Sequence, residues 1–223
     1  MRDTDELGAG AEGTDDFGGR RDEGSDPMAH AAQIVDDLTR TRDLTRMLER
    51  YAPHDQREAE FRGRMLALLA SGGEILSRHH FVPGHFTASA FVLSPDRTSL
   101  VLVFHRRFRR WLQPGGHFDP PDRDTFAAAR REVAEETGVS EVDFPEGMPS
   151  LFDLDVHPIP PREGEPAHEH FDLRILLRAR TLDLRPASDA GDARWVKIAE
   201  VVGLEIETDA SVLRAIAKLT RHD

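Results

Sequence analysis

Apolar positions recur at helical spacing twice near the start of the chain and at strand spacing over most of the remaining length. From about Met28, the positions Ile34, Leu38, Thr41, Thr45 and Leu48 keep a helical period that breaks at Pro53. Asp55 with Glu58 three residues later has the form of a capping box. Phe61, Met65, Leu68 and Leu69 then make one apolar stripe, so a second helix is expected, ending at Gly72 and Gly73. Phe86 to Leu93 is β-prone and stops at the turn signal Ser94-Pro95-Asp96, while Leu100 to Phe104 is continuously apolar, as a strand covered on both faces is. A hairpin is the simplest reading. The pattern returns to helix from about Asp124 to Thr137, closed by Gly138, a good left-handed terminator.

Strands are predicted at Leu151 to His157, His168 to Arg178 and Arg194 to Ile198. In the second of these, Phe171, Leu173, Ile175 and Leu177 share one face and His168, His170, Asp172 and Arg174 the other. Thr208 is placed to cap a last helix that turns Val212, Ile216 and Leu219 inward. No internal repeat is visible. Two helices, several strands, a helix, more strands and a terminal helix predict an α/β fold, with a mixed sheet sandwiched between helices.

Composition adds an organisation to this pattern. The first 26 residues hold nine Asp/Glu and three Arg, half of the net charge of −12, and almost no large apolar side chains. Such a segment buries too little surface to offset its conformational entropy, so a disordered tail is expected over 1–26, a helical extension over 27–80 and the main domain over 81–223. The remainder is only modestly acidic, which argues against nonspecific DNA binding. No apolar run approaches the length that spans a bilayer, and the N-terminus has no basic and apolar leader, so the expected location is the cytoplasm, away from membranes. The chain has no cysteine, which excludes disulfides, thiolate metal sites and a cysteine nucleophile.

The densest chemistry lies in Arg-Glu-Val-Ala-Glu-Glu. On a helix Glu132, Glu135 and Glu136 are spaced i, i+3 and i+4 and point the same way. Like charges at about 4 Å repel by about 4 kcal/mol at an effective dielectric of 20, so such a cluster needs a counter-charge. A hard divalent cation supplies one, and magnesium, which keeps positions for water and phosphate, suits a short carboxylate cluster. A solvated acidic face, with Arg131 paired to Glu135, explains that string alone equally well.

Two other groups of residues carry candidate chemistry. The run Arg106-Arg107-Phe108-Arg109-Arg110-Trp111 could grip phosphates and stack a base, with Arg106 and Arg110 the candidate contacts, though a charged hairpin turn explains it as well. His168, His170 and Asp172 share a strand face in a geometry compatible with a transition metal. A polar face whose histidines bond neighbours, Arg174 included, is the favoured reading, because imidazole suits zinc better than magnesium; a substrate-pocket role stays open for His170 and Asp172.

The longer stretch GGHFDPPDRDTFAAARREVAEETGV resembles the signature of the Nudix hydrolases: a glycine, five residues, Glu, seven residues, then Arg-Glu-apolar-any-Glu-Glu-any-Gly-apolar. From Arg131 to Val139 the match is complete, Gly115-Gly116 follows a Trp-Leu-Gln-Pro lead-in, and Trp195 lies in a late strand. The resemblance covers about residues 85–200. One departure stands out: the stretch between Gly116 and Arg131 is one residue longer than the pattern, and Arg123 occupies the place of its first glutamate, flanked by Asp122 and Asp124, either of which could substitute.

The resemblance implies a Nudix-like α/β/α sandwich preceded by the N-terminal helices. It also implies Mg2+ (or Mn2+) held by Glu132, Glu135 and Glu136, Arg131 orienting a glutamate, and Gly115 and Gly116 placing the substrate loop beside the helix. The implied reaction is metal-dependent hydrolysis of a phosphoanhydride bond in a nucleotide-like small molecule, either a nucleoside diphosphate linked to another moiety or an NTP. The general base varies within the family; Glu136 is preferred here, with Glu169 and His170 as the other candidates. The rival reading is a non-catalytic Nudix-like module that binds a nucleotide or ADP-ribose. An isopentenyl diphosphate isomerase is set aside for want of a cysteine, and the N-terminal helices are a candidate homodimer contact.

Overall fold

The structure is a computed structural model and describes residues 27–145, 147–185, 192–203 and 206–219. The tail expected over residues 1–26 lies outside them. Helix α1 spans Pro27–Arg50 and α2 spans Gln56–Ser71. The Asp55 carboxylate accepts from the Glu58 amide, and Glu58 reaches back to the amide of His54, so the expected capping box forms one residue wider than its usual pattern. Gly72, at φ 69°, ends α2 in a conformation that a side chain would strain.

Strand β1 (Gly84–Leu93) and β2 (Ser99–His105) form the expected hairpin, but its antiparallel pairing covers only Val92–Leu93 against Leu100–Val101. Beyond that point the two strands part. β2 goes on to pair with β3 (Arg110–Leu112) and β8 (Ala193–Lys197), while the first half of β1 takes β4 (Gly115–His117) as its neighbour. On its other side β1 runs parallel to β7 (His168–Ala179) over ten residue pairs, from Gly84 opposite Glu169 to Leu93 opposite Arg178. β7 in turn pairs antiparallel with β5 (Val142–Asp143) and β6 (Leu151–Ile159). The result is an eight-stranded mixed sheet.

One face of the sheet is apolar throughout. Phe86, Ala88, Ala90 and Val92 of β1 and Phe171, Leu173, Ile175 and Leu177 of β7 pack on Ala128, Ala129 and Val133 of helix α3 (Thr125–Thr137), and on Leu44, Leu48, Met65 and Leu68 of α1 and α2. The N-terminal helices therefore share the main core. The opposite face changes character along its length. At one end Phe91, Leu93, Leu100, Leu102 and Val196 pack under α4 (Ile198–Val202) and α5 (Ala210–Leu219) through Val201, Val212 and Ile216. Towards the start of β1 it becomes polar yet stays buried. This α/β/α sandwich with a mixed sheet is the expected architecture.

The sequence placed the cap of the last helix one residue early. The Thr208 hydroxyl donates to the Trp111 carbonyl, and Asp209 accepts from the Ser211 amide instead, because an isolated bridge ties Thr208 to β3 and leaves the next residue at the helix start. Among the described residues no helix is long and apolar enough to cross a membrane.

Candidate active site

Helix α3 is pinned at both ends. Asp124 accepts from the Ala127 amide at its start, and Gly138, left-handed at φ 76°, closes it by donating to the Ala134 carbonyl. Its inner face is the small-residue set Ala128, Ala129 and Val133, which lets it lie close on the sheet and carries Glu132 and Glu136 to the β4 loop. The Gly115 amide donates to the Glu136 carboxylate at 3.0 Å. A Cβ on Gly116 would fall 2.5 Å from a carboxylate oxygen of Glu132, and one on Gly115 would fall 2.2 Å from the Ser89 Cβ. The glycine pair is thus what allows strand, loop and carboxylates to meet.

Arg131 braces the group. Its Nη1 donates to Glu132 at 3.0 Å and Glu135 at 2.9 Å, its Nη2 donates to the His117 carbonyl, and Nε and Nη2 together hold Asp122. This separates the two candidate substitutes for the signature glutamate: Asp122, almost fully buried, is the partner of Arg131, whereas Asp124 is the helix cap. The three glutamates are not equivalent. Glu135 is largely exposed and turned to Arg131, while Glu132 and Glu136 face the loop. Burial raises the Glu132 carboxyl against the pull of Arg131. Burial also pushes Glu136 up to about 7, with repulsion from Glu132 and Glu135 adding to it. Buried carboxylates short of positive charge and free of competing soft donors fit a hard divalent cation, provided Glu135 swings from Arg131 to join them.

The remaining candidates are spread more widely. Arg106 is exposed in the turn between β2 and β3, and Arg110 ion-pairs with Asp209 at 3.1 Å. Glu169 faces α2, where it pairs with Arg64. Asp172 is buried and accepts from Thr87, Ser89 and Arg174, so its oxygens are engaged within the protein. His170 lies among other imidazoles, with ring centres 4.8 Å from His85, 5.2 Å from His117, 5.3 Å from His168 and 5.5 Å from His157. Burial pushes His85 and His117 down to about 4. A cavity of about 1240 Å³ between α1, the start of α3 and the loop before β6 is lined by Arg40, Met47, Arg123 and Phe126, and by none of the three glutamates.

Sequence reasoning missed a buried charge network beside the imidazoles. Arg174 is held by Asp153, Asp155 and Asp172, Arg214 pairs with the first two, and Lys218 of α5 bridges Asp153 to Glu58 of α2. Its signal was present, since Asp153, Asp155 and His157 alternate along one strand; without the pairing to β7 nothing showed which way they face.

No curated protein matches the chain. Several solved structures are similar to it. A NUDIX-family hydrolase from Clostridium perfringens is 19% identical, covering 66% of this chain and 99% of its own, with a TM-score of 0.46. The NUDIX domain of Shewanella oneidensis NrtR, solved with ADP ribose, is 18% identical over 70% and 96% of the two chains, with a TM-score of 0.44. An Ap4A hydrolase from C. elegans is 15% identical over 61% and 96%, with a TM-score of 0.43. The NUDIX domain family model matches residues 83–218, more than half of the chain and all of the carboxylate site, and the chain therefore belongs to the Nudix family and is a hydrolase of that kind.

Proposed function

We propose that the protein hydrolyses a phosphoanhydride bond in a nucleoside diphosphate linked to another moiety, or in an NTP, with magnesium held by Glu132, Glu135 and Glu136. The observation that carries this reading is the closure of Glu132 and Glu136 onto the Gly115–Gly116 loop, with Arg131 bracing them from the other side. Bound there, the cation would neutralise diphosphate oxygens and activate a water.

The chain's own residues prepare that event. The glycine loop lets backbone approach the substrate without side-chain obstruction. Arg131, fixed by Asp122 and the His117 carbonyl, sets the position of Glu132, and Glu135, now bonded to Arg131, would join the other two carboxylates in holding a cation. Glu136 is the preferred general base, held against the substrate loop by the hydrogen bond from the Gly115 amide. Base and sugar would be read by loops outside the signature.

The test is a panel of nucleoside diphosphate conjugates and NTPs, assayed with magnesium for phosphate-bearing products. Turnover of at least one class is expected, reduced about 100-fold or more by Glu136→Gln. Absence of turnover across the panel, or full retention by the variant, would overturn the reading.

A further inference from the structure

The second face of the sheet carries a cluster that the phosphoanhydride chemistry does not use. β1 and β7 run parallel in register, so His85 lies opposite His170, with His168 two residues before it on the same face. Among the described residues, the trio of potential ligands whose donor atoms all lie within 4.8 Å of one another is His85, His168 and His170, not the three glutamates.

The hydrogen bonds of these rings orient them. The Nδ1 of His85 lies 3.0 Å from the His80 carbonyl, and the Nδ1 of His168 lies 2.8 Å from the Pro166 carbonyl. A carbonyl only accepts, so the proton sits on Nδ1 in each ring, and the lone pair of a neutral ring sits on Nε2. Backbone carbonyls commonly fix metal-binding histidines in this way. His85 is fully buried, and its Nε2 meets no hydrogen-bond partner among the described residues. Leaving such an atom unsatisfied costs about 1–3 kcal/mol, and in this arrangement no neighbouring ring nitrogen donates to it.

We propose that His85, His168 and His170 form a second metal site, for a zinc-type divalent ion, with His117 the nearest ring to complete its coordination. The His117 ring centre lies 5.1 Å from that of His85 and 5.2 Å from that of His170. A zinc–nitrogen bond of about 2.1 Å places tetrahedral nitrogens about 3.4 Å apart, so donor atoms that now lie within 4.8 Å of one another would draw together on the ion. Imidazole donors select zinc, cobalt or nickel over magnesium, so the two sites would sort metals by donor type. His117 shares β4 with Gly115 and Gly116, which sets this site beside the substrate loop.

The test loads the full chain with Co2+ or Zn2+ after chelator treatment. One equivalent per chain is expected to survive buffer exchange, with the strong visible d–d bands of four-coordinate cobalt bound through nitrogen. Glu136→Gln should leave those bands intact. His168→Gln and His170→Gln, checked for folding by circular dichroism, should weaken binding by at least about tenfold. Wild-type protein that keeps no cobalt or zinc, or shows only the weak bands of six-coordinate oxygen ligation, would overturn the proposal. So would retention of full affinity by both histidine variants. None of these outcomes depends on whether the protein turns over a nucleotide.

Discussion

Arg131 and Asp122 meet as two forks: Nε lies 3.1 Å from one carboxylate oxygen and Nη2 3.0 Å from the other, with Asp122 only 5% exposed. The pair is the fixed end of a lever whose other end, Nη1, holds Glu132 and Glu135. Asp122→Asn should therefore cost about 2 kcal/mol of stability and reduce magnesium-dependent turnover. Asp124→Ala should cost about 1 kcal/mol through the lost helix cap and leave kcat within about twofold. Thermal melts and metal titrations of rate on the two variants check the contrast.

The two loop glycines should fail differently. The three atoms nearest a methyl group on Gly116 all belong to the movable carboxylate of Glu132, so Gly116→Ala should fold and lose metal affinity. At Gly115 the methyl group meets Ser89 Cβ at 2.2 Å and backbone at 2.6 Å, so Gly115→Ala should be the destabilised variant. Expression yield, melting temperature and magnesium dependence separate the two.

Glu136 gives a pH signature to the metal-free protein. Its folded pKa of about 7 lies above the ordinary 4.5, so folding favours the protonated form. That contribution is fully present below pH 4.5 and lost as pH rises through 7. Glu136→Gln keeps a neutral side chain, so without metal it should gain on the wild type as pH rises from about 5 to about 8, by on the order of 2 kcal/mol. Magnesium should reverse the order at the alkaline end of that range. Denaturant unfolding at several pH values with and without magnesium checks both signs.

Arg174 sits 2% exposed among three aspartates, two of which, Asp153 and Asp155, it helps to hold well below the usual carboxylate range against the effect of burial. Arg174→Met removes their shared counter-charge and should destabilise by about 3–5 kcal/mol, measured by urea unfolding. Adding Asp153→Asn should recover part of that loss.

The family match begins at residue 83, but the fold's packing does not. Removing residues 1–82 would strip Leu44, Leu48, Met65 and Leu68 from the core and take Glu58 from Lys218. A chain of residues 83–223 should therefore lose its near-ultraviolet circular dichroism or aggregate.

Much of this was legible in the sequence where a local rule decided the matter. Asp55 and Asp124 announced helix starts, Gly72 and Gly138 announced helix ends, and Glu132 and Glu136 followed from helical spacing. Arg131 was placed by the same signature. Less legible were features set by contacts distant in sequence. Strands of three residues or fewer, β3, β4 and β5, exist only through their partners. The freedom of Glu135 to turn towards Arg131 is a rotamer choice that spacing leaves open. The polar face of β7 was read from alternation, but its burial required β1 and β6 on either side, and those neighbours brought His85 and His157 to it.

The ten-residue parallel match of β1 with β7 also limits how the gene can vary. Adding or deleting one codon at the start of β1, beside Gly84, would invert every later side chain in the strand, presenting Phe86 to the imidazoles and His85 to the aromatic packing under α3. Relatives of this chain should accordingly differ in length at turns such as 94–98 and 106–109, and keep the spacing from Gly84 to Leu93 unchanged.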